Sequence, residues 1–449
     1  MKPYQVLLFI VCCMAVMAVM SSAYVTRMLR VGCDLRWPTL AEVLDYGEPV
    51  ETEEPAVVEQ PIEETEDSEP AETAEFLTMT DTIAEDTIYE EPVQPAKVVA
   101  PLVQVDSTTD SRIFLSAFYQ SLQQTGERKV RVVHYGDSQI EEDRMSQQIR
   151  QKLQSRYGGA GVGLLPLIQT IPSRAVHQEI HMNGRIVTPL QGPRRYMVHG
   201  PKRTQRTDGL YGPMGQMAVM NDSLVKGSEE LMAVVQPLDG GPRYSQMKVL
   251  ADSGIHYTQH GDTLWLTGQG NVYGVSQQTD TGVILDNIPM RGCLGLVFNK
   301  IDSTQLRRFY EEENVSLIIL QFGGNAIPFN ETPSTIVAIV RGLRKQVRYL
   351  RQCAPEASFL FIGPSDMLCT KEGMEHTYPM IPYMDRLLRK MALEENIAYF
   401  SLYQWMGGSG SMSRWMETGL AGSDGVHFTR SGARKAGNAV ANWILEGME

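Results

Sequence analysis

The stretch KVRVVHYGDSQIEEDRMSQQIRQKLQSRYGG, residues 129–159, passes from a strand pattern through a tight turn to a helix pattern. Residues 129–135 are rich in β-branched side chains and read as a short strand. Gly136-Asp137-Ser138 then forms a sharp loop. Beyond it, 140–156 sets Ile140, Met145, Ile149 and Leu153 among strong helix formers and stops at Gly158-Gly159. Strand, loop and helix in that order form the repeating unit of an open parallel sheet.

The same alternation recurs downstream. Residues 315–321, 358–362 and 398–402 read as strands, and 335–353, 382–395 and 431–446 as helices. Upstream, Ile113, Leu115 and Phe118 mark the start of order near Ser111. The expectation is an α/β fold, a three-layer parallel sheet covered by helices on both faces. Residues 166–288 break the rhythm. They are rich in Gly, Gln and Thr, with short apolar alternations such as Thr263-Leu264-Trp265-Leu266 and frequent turn signals, and they predict an inserted, mostly-β domain. The α/β domain is thereby divided into 105–165 and 289–449.

The N-terminal 1–24 carries Lys2, an apolar run over 6–20 and then Ser21-Ser22-Ala23, which reads as an export signal peptide or a retained membrane anchor. The run is short of the ~20 residues that span a bilayer. Residues 25–104 read as an acidic, disordered tether. Between 38 and 96 there are 19 Asp or Glu and no Lys or Arg, so a chain of net charge −13 has a remainder at +6. That remainder is compatible with an anionic polymer as partner and equally with ordinary surface composition. No nucleic-acid partner is expected. Cys12 and Cys13 lie in the apolar run, and Cys33, Cys293, Cys353 and Cys369 lack metal-ligand spacing.

Three short motifs carry chemistry. Acyl transfer by a serine needs a hydroxyl on an exposed turn, a base, a carboxylate that orients the base, and donors for the oxyanion. Ser138 sits where a parallel sheet places its ligands, at the carboxyl end of a strand. In Asp424-Gly425-Val426-His427 the carboxylate can turn back to hold the Nδ1–H of the imidazole, leaving Nε2 free for a serine proton. Gly323-Gly324-Asn325 follows a predicted strand and offers a tight turn with a side-chain amide donor. Each motif alone also has a plain structural reading, as a turn or a helix cap. Glu141, Glu142 and Asp143 read as carboxylates favoured at a helix start, not as metal ligands. His134, His177, His181, His199, His256 and His260 are assigned no role, and Trp405 and Trp415 read as core rather than cleft lining.

Taken together and in this order, the motifs resemble those of the SGNH/GDSL hydrolases over about 130–443. The resemblance implies Ser138 as nucleophile and backbone donor, Asn325 as side-chain donor, His427 as base and Asp424 as its partner. It implies a glycine donor after the second strand, at Gly292 with Gly295 as the alternative. Gln139 departs from the Leu or His usual after the serine. The β insertion between nucleophile and glycine donor is similar to that of periplasmic peptidoglycan O-acetylesterases. The implied function is a serine esterase that removes a small acyl group, acetyl above all, from a cell-envelope glycan, exported and without metal or organic cofactor. Passing the acyl group to a sugar hydroxyl would make it an O-acetyltransferase, and a vestigial triad would leave a non-catalytic glycan-binding protein.

Overall fold

The computed structural model describes residues 110–448 apart from 183, 221–230, 239–243, 331 and 372–373. The expected signal or anchor (1–24) and tether (25–104), with Cys12, Cys13 and Cys33, lie outside the described residues. A short 3-10 turn leads into α1 (Ser116–Leu122), then β1 (Lys129–Gly136) and α2 (Ser146–Tyr157). Strand β1 is buried on both faces. Val130 and Val132 join Ile149 and Leu153 of α2 in one core, while Val133 and Tyr135 join a second core on the opposite side. Period-2 alternation is what sends adjacent valines to different cores, each contributing ~1.5–3 kcal/mol when fully buried.

The inserted part holds β2 (Gly163–Leu165), β3 (Val176–Met182), β4 (Arg185–Ile186), β5 (Arg194–Met197), β6 (Gln216–Met220), β7 (Leu231–Pro237), β8 (Gln246–Ala251), β9 (Ile255–His260), β10 (Thr263–Gly268) and β11 (Gly270–Gln278). They form two antiparallel sheets, one ordered β4-β3-β7-β10-β9 and one ordered β2-β11-β6-β5 with β8 paired to β11. Alternate residues such as Leu231, Ala233 and Val235 on β7 meet Val272 and Val275 on β11 in a shared apolar core. This is the sandwich arrangement that the alternating pattern predicts.

The boundary expected at residue 288 is wrong. Gly282–Pro289, β12, pairs in parallel with β1 from Lys129↔Gly282 to Gly136↔Pro289 and belongs to the α/β sheet. The reason is a buried charge. Asp286, followed in the strand by Asn287, accepts from Arg131 of β1 at 2.8 Å, the Asp286 and Arg131 side chains both being fully buried. At the other boundary, β2 precedes residue 166 yet pairs with β11 of the insertion. The chain enters and leaves the insertion through one narrow neck. A Cβ on Gly282 would lie 2.1 Å from the Gly159 nitrogen, and the Val283 N–H bonds the Gly158 carbonyl at 2.9 Å. Only glycine allows the two passes to approach so closely.

The chain continues through α3 (Ser303–Glu312), β13 (Val315–Gln321), α4 (Pro333–Cys353), β14 (Ser358–Ile362), a hairpin of β15 (Leu368–Lys371) and β16 (Met374–Thr377), α5 (Ile381–Glu394), β17 (Ala398–Phe400), α6 (Leu402–Met406), α7 (Ser411–Glu417) and α8 (Arg430–Glu446). Thr332 caps α4 ahead of Pro333, and Ile336, Val340, Leu343, Val347 and Leu350 form its buried stripe. The main sheet runs β12-β1-β13-β14-β17, with every neighbouring pair parallel. The strand expected over 398–402 stops at Phe400 because Ser401 caps α6. Cys293, Cys353 and Cys369 are free thiols. Among the described residues no helix is long and apolar enough to cross a membrane.

Candidate active site

The carboxyl ends of β12, β1, β13 and β14 lie side by side, so the loops that leave them gather at one edge of the sheet. Ser138 follows β1. Its Oγ lies 2.8 Å from His427 Nε2, and His427 Nδ1 lies 2.7 Å from Asp424 Oδ2. The other carboxylate oxygen, Oδ1, accepts the N–H groups of Val426 and His427 at 2.9 Å each. Burial raises the Asp424 pKa, but the bonds from the His427 ring and from these two N–H groups outweigh it and hold the carboxyl at about 2. Asp424 is charged at any ordinary pH. A charged Oδ2 fixes the proton on Nδ1 and leaves Nε2 to accept from the serine. The turn is open to water, with side-chain exposures of 38% for His427 and 49% for Asp424.

Gln139 links this turn to the Ser138 loop. Its Nε2 donates to the Val426 carbonyl at 2.6 Å and to Ser365 Oγ at 3.4 Å, and its Oε1 accepts from the Phe428 N–H at 3.5 Å. One side chain thus spans the Ser138 turn, the loop after β14 and the His427 turn. Its departure from the expected residue type was the only sign of this in the sequence.

Asn325, past the positive-φ Gly323, lines a cavity of about 70 Å³ together with Ser138, Asp137, Pro364 and Met367. Its Nδ2 donates to Asp137 Oδ2 at 3.0 Å and, weakly, to the Cys293 carbonyl at 3.4 Å. Burial pushes the Asp137 carboxyl up to about 6, even though the Gln139 N–H, the nearby His427 and the Asn325 amide all favour its charge. Neither Gly292 nor Gly295 lines this cavity. They differ in availability. Gly295 packs against Phe322 and Leu343 and gives its N–H to Cys293 Sγ, whereas Gly292 is exposed and its N–H has no partner among the described residues.

Contrary to the expected helix over 140–156, residues 140–145 do not belong to it, and the helix starts at Ser146. Glu142 and Asp143 have φ of 57° and 64°, a left-handed turn that costs L-residues about 1–2 kcal/mol each. Arginines hold all three carboxylates. Arg291 grips Glu141 through two bonds of 2.7 Å, Arg174 reaches Glu142 at 2.8 Å, and Arg150 clamps Asp143 at 2.5 and 3.0 Å. These pairings, not a helix dipole, explain the acidic run. His134, fully buried beneath the site, is pushed down to about 3 by burial and sits neutral between Gln321 and Ser146. Trp415 is core, edge-on to Trp405 and tilted against Phe428.

A solved peptidoglycan O-acetylesterase superposes on 75% of this chain and 95% of its own, with a TM-score of 0.58 at 20% identity. The two chains share a fold. It is a parallel α/β core carrying an inserted β domain. An acetylxylan esterase from Geobacillus stearothermophilus is similar over 37% of this chain and 73% of its own, with 16% identity and a TM-score of 0.24. The periplasmic domain of a lipopolysaccharide acetyltransferase from Salmonella ser. Paratyphi A is similar over the same shares, with 12% identity and a TM-score of 0.26. No family model matches the sequence, and no curated protein does.

Proposed function

We propose that this chain is a serine esterase of the cell envelope that removes acetyl groups from a glycan such as peptidoglycan. The observation that carries the reading is the continuous chain Ser138 Oγ, His427 Nε2, His427 Nδ1, Asp424 Oδ2, with links of 2.8 and 2.7 Å. Ser138 Oγ attacks the ester carbonyl as His427 Nε2 takes its proton. His427 then returns that proton to the departing sugar oxygen, leaving an acetyl-serine. In the second half, His427 deprotonates water, which attacks the acetyl-serine carbonyl; the bond to Ser138 Oγ then breaks, His427 returns the proton to Oγ, and acetate leaves. The oxyanion of both tetrahedral intermediates is stabilised by the N–H groups of Ser138 and Gly292 and by the Asn325 amide, whose long 3.4 Å contact is the one given up.

Two features favour acetyl hydrolysis over the alternatives. The cavity at Ser138 is small, which suits a two-carbon acyl group better than a fatty chain. The His427 turn is open, so water reaches the acyl-enzyme, whereas transfer to a sugar requires its exclusion. The fold shared with a peptidoglycan O-acetylesterase supports both the substrate class and an envelope location. The test is hydrolysis of p-nitrophenyl acetate by the purified chain and by Ser138→Ala. Loss of nearly all turnover is expected; equal rates in the two proteins would overturn the reading.

A further inference from the structure

A second cavity, of about 310 Å³, lies between the β insertion and the α/β core, within the ~300–1,000 Å³ range of small-molecule sites. It is bounded by the Glu142-Asp143 turn after Ser138, by the insertion around β2, β5 and β6, and by the chain from Asn287 to Arg291. It therefore lies against both segments that frame the proposed reaction, yet shares no lining residue with the small cavity at Ser138.

Its walls are largely apolar, with Ile171, Met197 and Met214 among them, and Gln169, Gln216 and Asn287 supply amides. Most of its charged groups are spoken for. Asp143 is clamped by Arg150, Glu142 is held by Arg174, Arg291 is gripped by Glu141, and His199 is bonded to the Arg291 carbonyl. Arg195 is different. Strand alternation turns Arg194 outward onto the Tyr196 ring and brings Arg195 and Met197 to the cavity. The Arg195 Nη1 is buried with no hydrogen-bond partner among the described residues. The side chain as a whole is half-buried, and that burial pushes its pKa down.

A half-buried guanidinium that keeps one buried N–H group without a partner gains a charge-assisted contact when a planar, two-oxygen anion enters the cavity. We propose that this cavity is a subsite for a carboxylate-bearing sugar of the glycan, its carboxylate on Arg195 and its ring against Met197, Met214 and Ile171. Assigning that sugar to the substrate rests on the esterase reading of Ser138. Apolar walls suit the C–H faces of a sugar ring, and the amides suit its hydroxyls. The net +6 outside the acidic stretch has the sign that an acidic polymer requires. The carboxylate has two chemical sources, the ring carboxylate of a uronic acid or the lactyl-ether arm of an N-acetylated amino sugar.

Titration calorimetry with the Ser138→Ala chain tests this, using N-acetylmuramic acid, glucuronic acid and neutral N-acetylglucosamine. One of the two acids is expected to bind about 10–100-fold more tightly than the neutral sugar, as a charge-assisted contact predicts. The preferred acid identifies the source of the carboxylate. Arg195→Gln, with an unchanged melting temperature, is expected to erase the preference, and Arg195→Lys to restore part of it. Should the Gln variant not fold, chemical-shift changes at the Met197 and Met214 methyls of the Ser138→Ala chain report the same binding. Equal binding of the neutral sugar, no binding of either acid, or a preference that survives Arg195→Gln overturns the proposal. Ester hydrolysis that persists in Ser138→Ala, alongside Arg195-dependent binding, would instead sink the esterase reading and leave the acidic-sugar site standing.

Discussion

His199 of the β insertion places its Nε2 2.8 Å from the carbonyl oxygen of Arg291. A carbonyl can only accept, so Nε2 carries the proton in this contact. The Arg291 carbonyl and the Gly292 N–H belong to one planar trans peptide and point in opposite directions. By holding the oxygen, His199 aims the N–H. The insertion thus orients a proposed oxyanion donor without touching the ester. His199→Ala is expected to lower kcat for p-nitrophenyl acetate about 10-fold with KM little changed, less than the ~10²–10³ for deleting a donor outright. His199→Gln, which keeps an N–H at similar reach, is expected to recover much of the loss. A change in KM alone would show that the contact does not act on the transition state.

Gln139 is the second lever on the site, because it ties the exposed His427 turn to the Ser138 loop, beside the Asp424 bonds and the Gly422 N–H on the His427 carbonyl. Gln139→Leu removes its three contacts while keeping an apolar side chain of similar size. We expect kcat to fall about 10–100-fold through misplacement of His427. An unchanged kcat, measured by steady-state kinetics, would mean that the turn holds its own position.

Asp137 gives a pH signature in stability. Its pKa rises from 3.8 in the unfolded chain to about 6 on folding, so the folded chain binds this proton more tightly. The stability it confers is present in full below about pH 3.8 and is lost as the pH rises to about 6, a change of about 3 kcal/mol at ~1.4 kcal/mol per unit. Asp137→Asn removes the titration. Its melting temperature should gain on that of the parent as the pH rises from about 4 to 7. A constant difference over that window would show an ordinary carboxyl.

Asp143 and Arg150 form a pair with side-chain exposures of 4% and 2%. Asp143→Ala strands the buried guanidinium, and a loss of about 3–5 kcal/mol is expected from urea unfolding. Replacing both, as Asp143→Leu with Arg150→Met, should return most of it. Additive losses in the double variant would instead indicate that the left-handed turn itself needs the ion pair.

Much of the α/β part was legible because its strands are apolar on both faces and its helices carry clear stripes, as in β13 and α4. Where the reading failed, a polar residue had a partner far away in sequence. Asp286 disguised β12 because Arg131 neutralises it across the sheet. The acidic run 141–143 looked like a helix start because the arginines that bend it away, Arg150, Arg174 and Arg291, lie up to 150 residues downstream. The Ser138, Asp424 and His427 motifs could be read locally, since each needs only a turn. Gln139, His199 and Arg195 could not, because their significance lies entirely in what the fold sets against them.

The glycine neck at Gly158, Gly159 and Gly282 bears on how the molecule is assembled. Strand β12 cannot join β1 until the whole insertion has been synthesised, and closing so long a loop is slow for an unstructured chain. Because the two passes leave and re-enter at one point, a sandwich that folds first brings its own ends together and delivers β12 to the sheet already in register. The insertion then serves as a scaffold for completing the edge of the parallel sheet, and the last loop it sets in place is the one that carries Arg291 and Gly292.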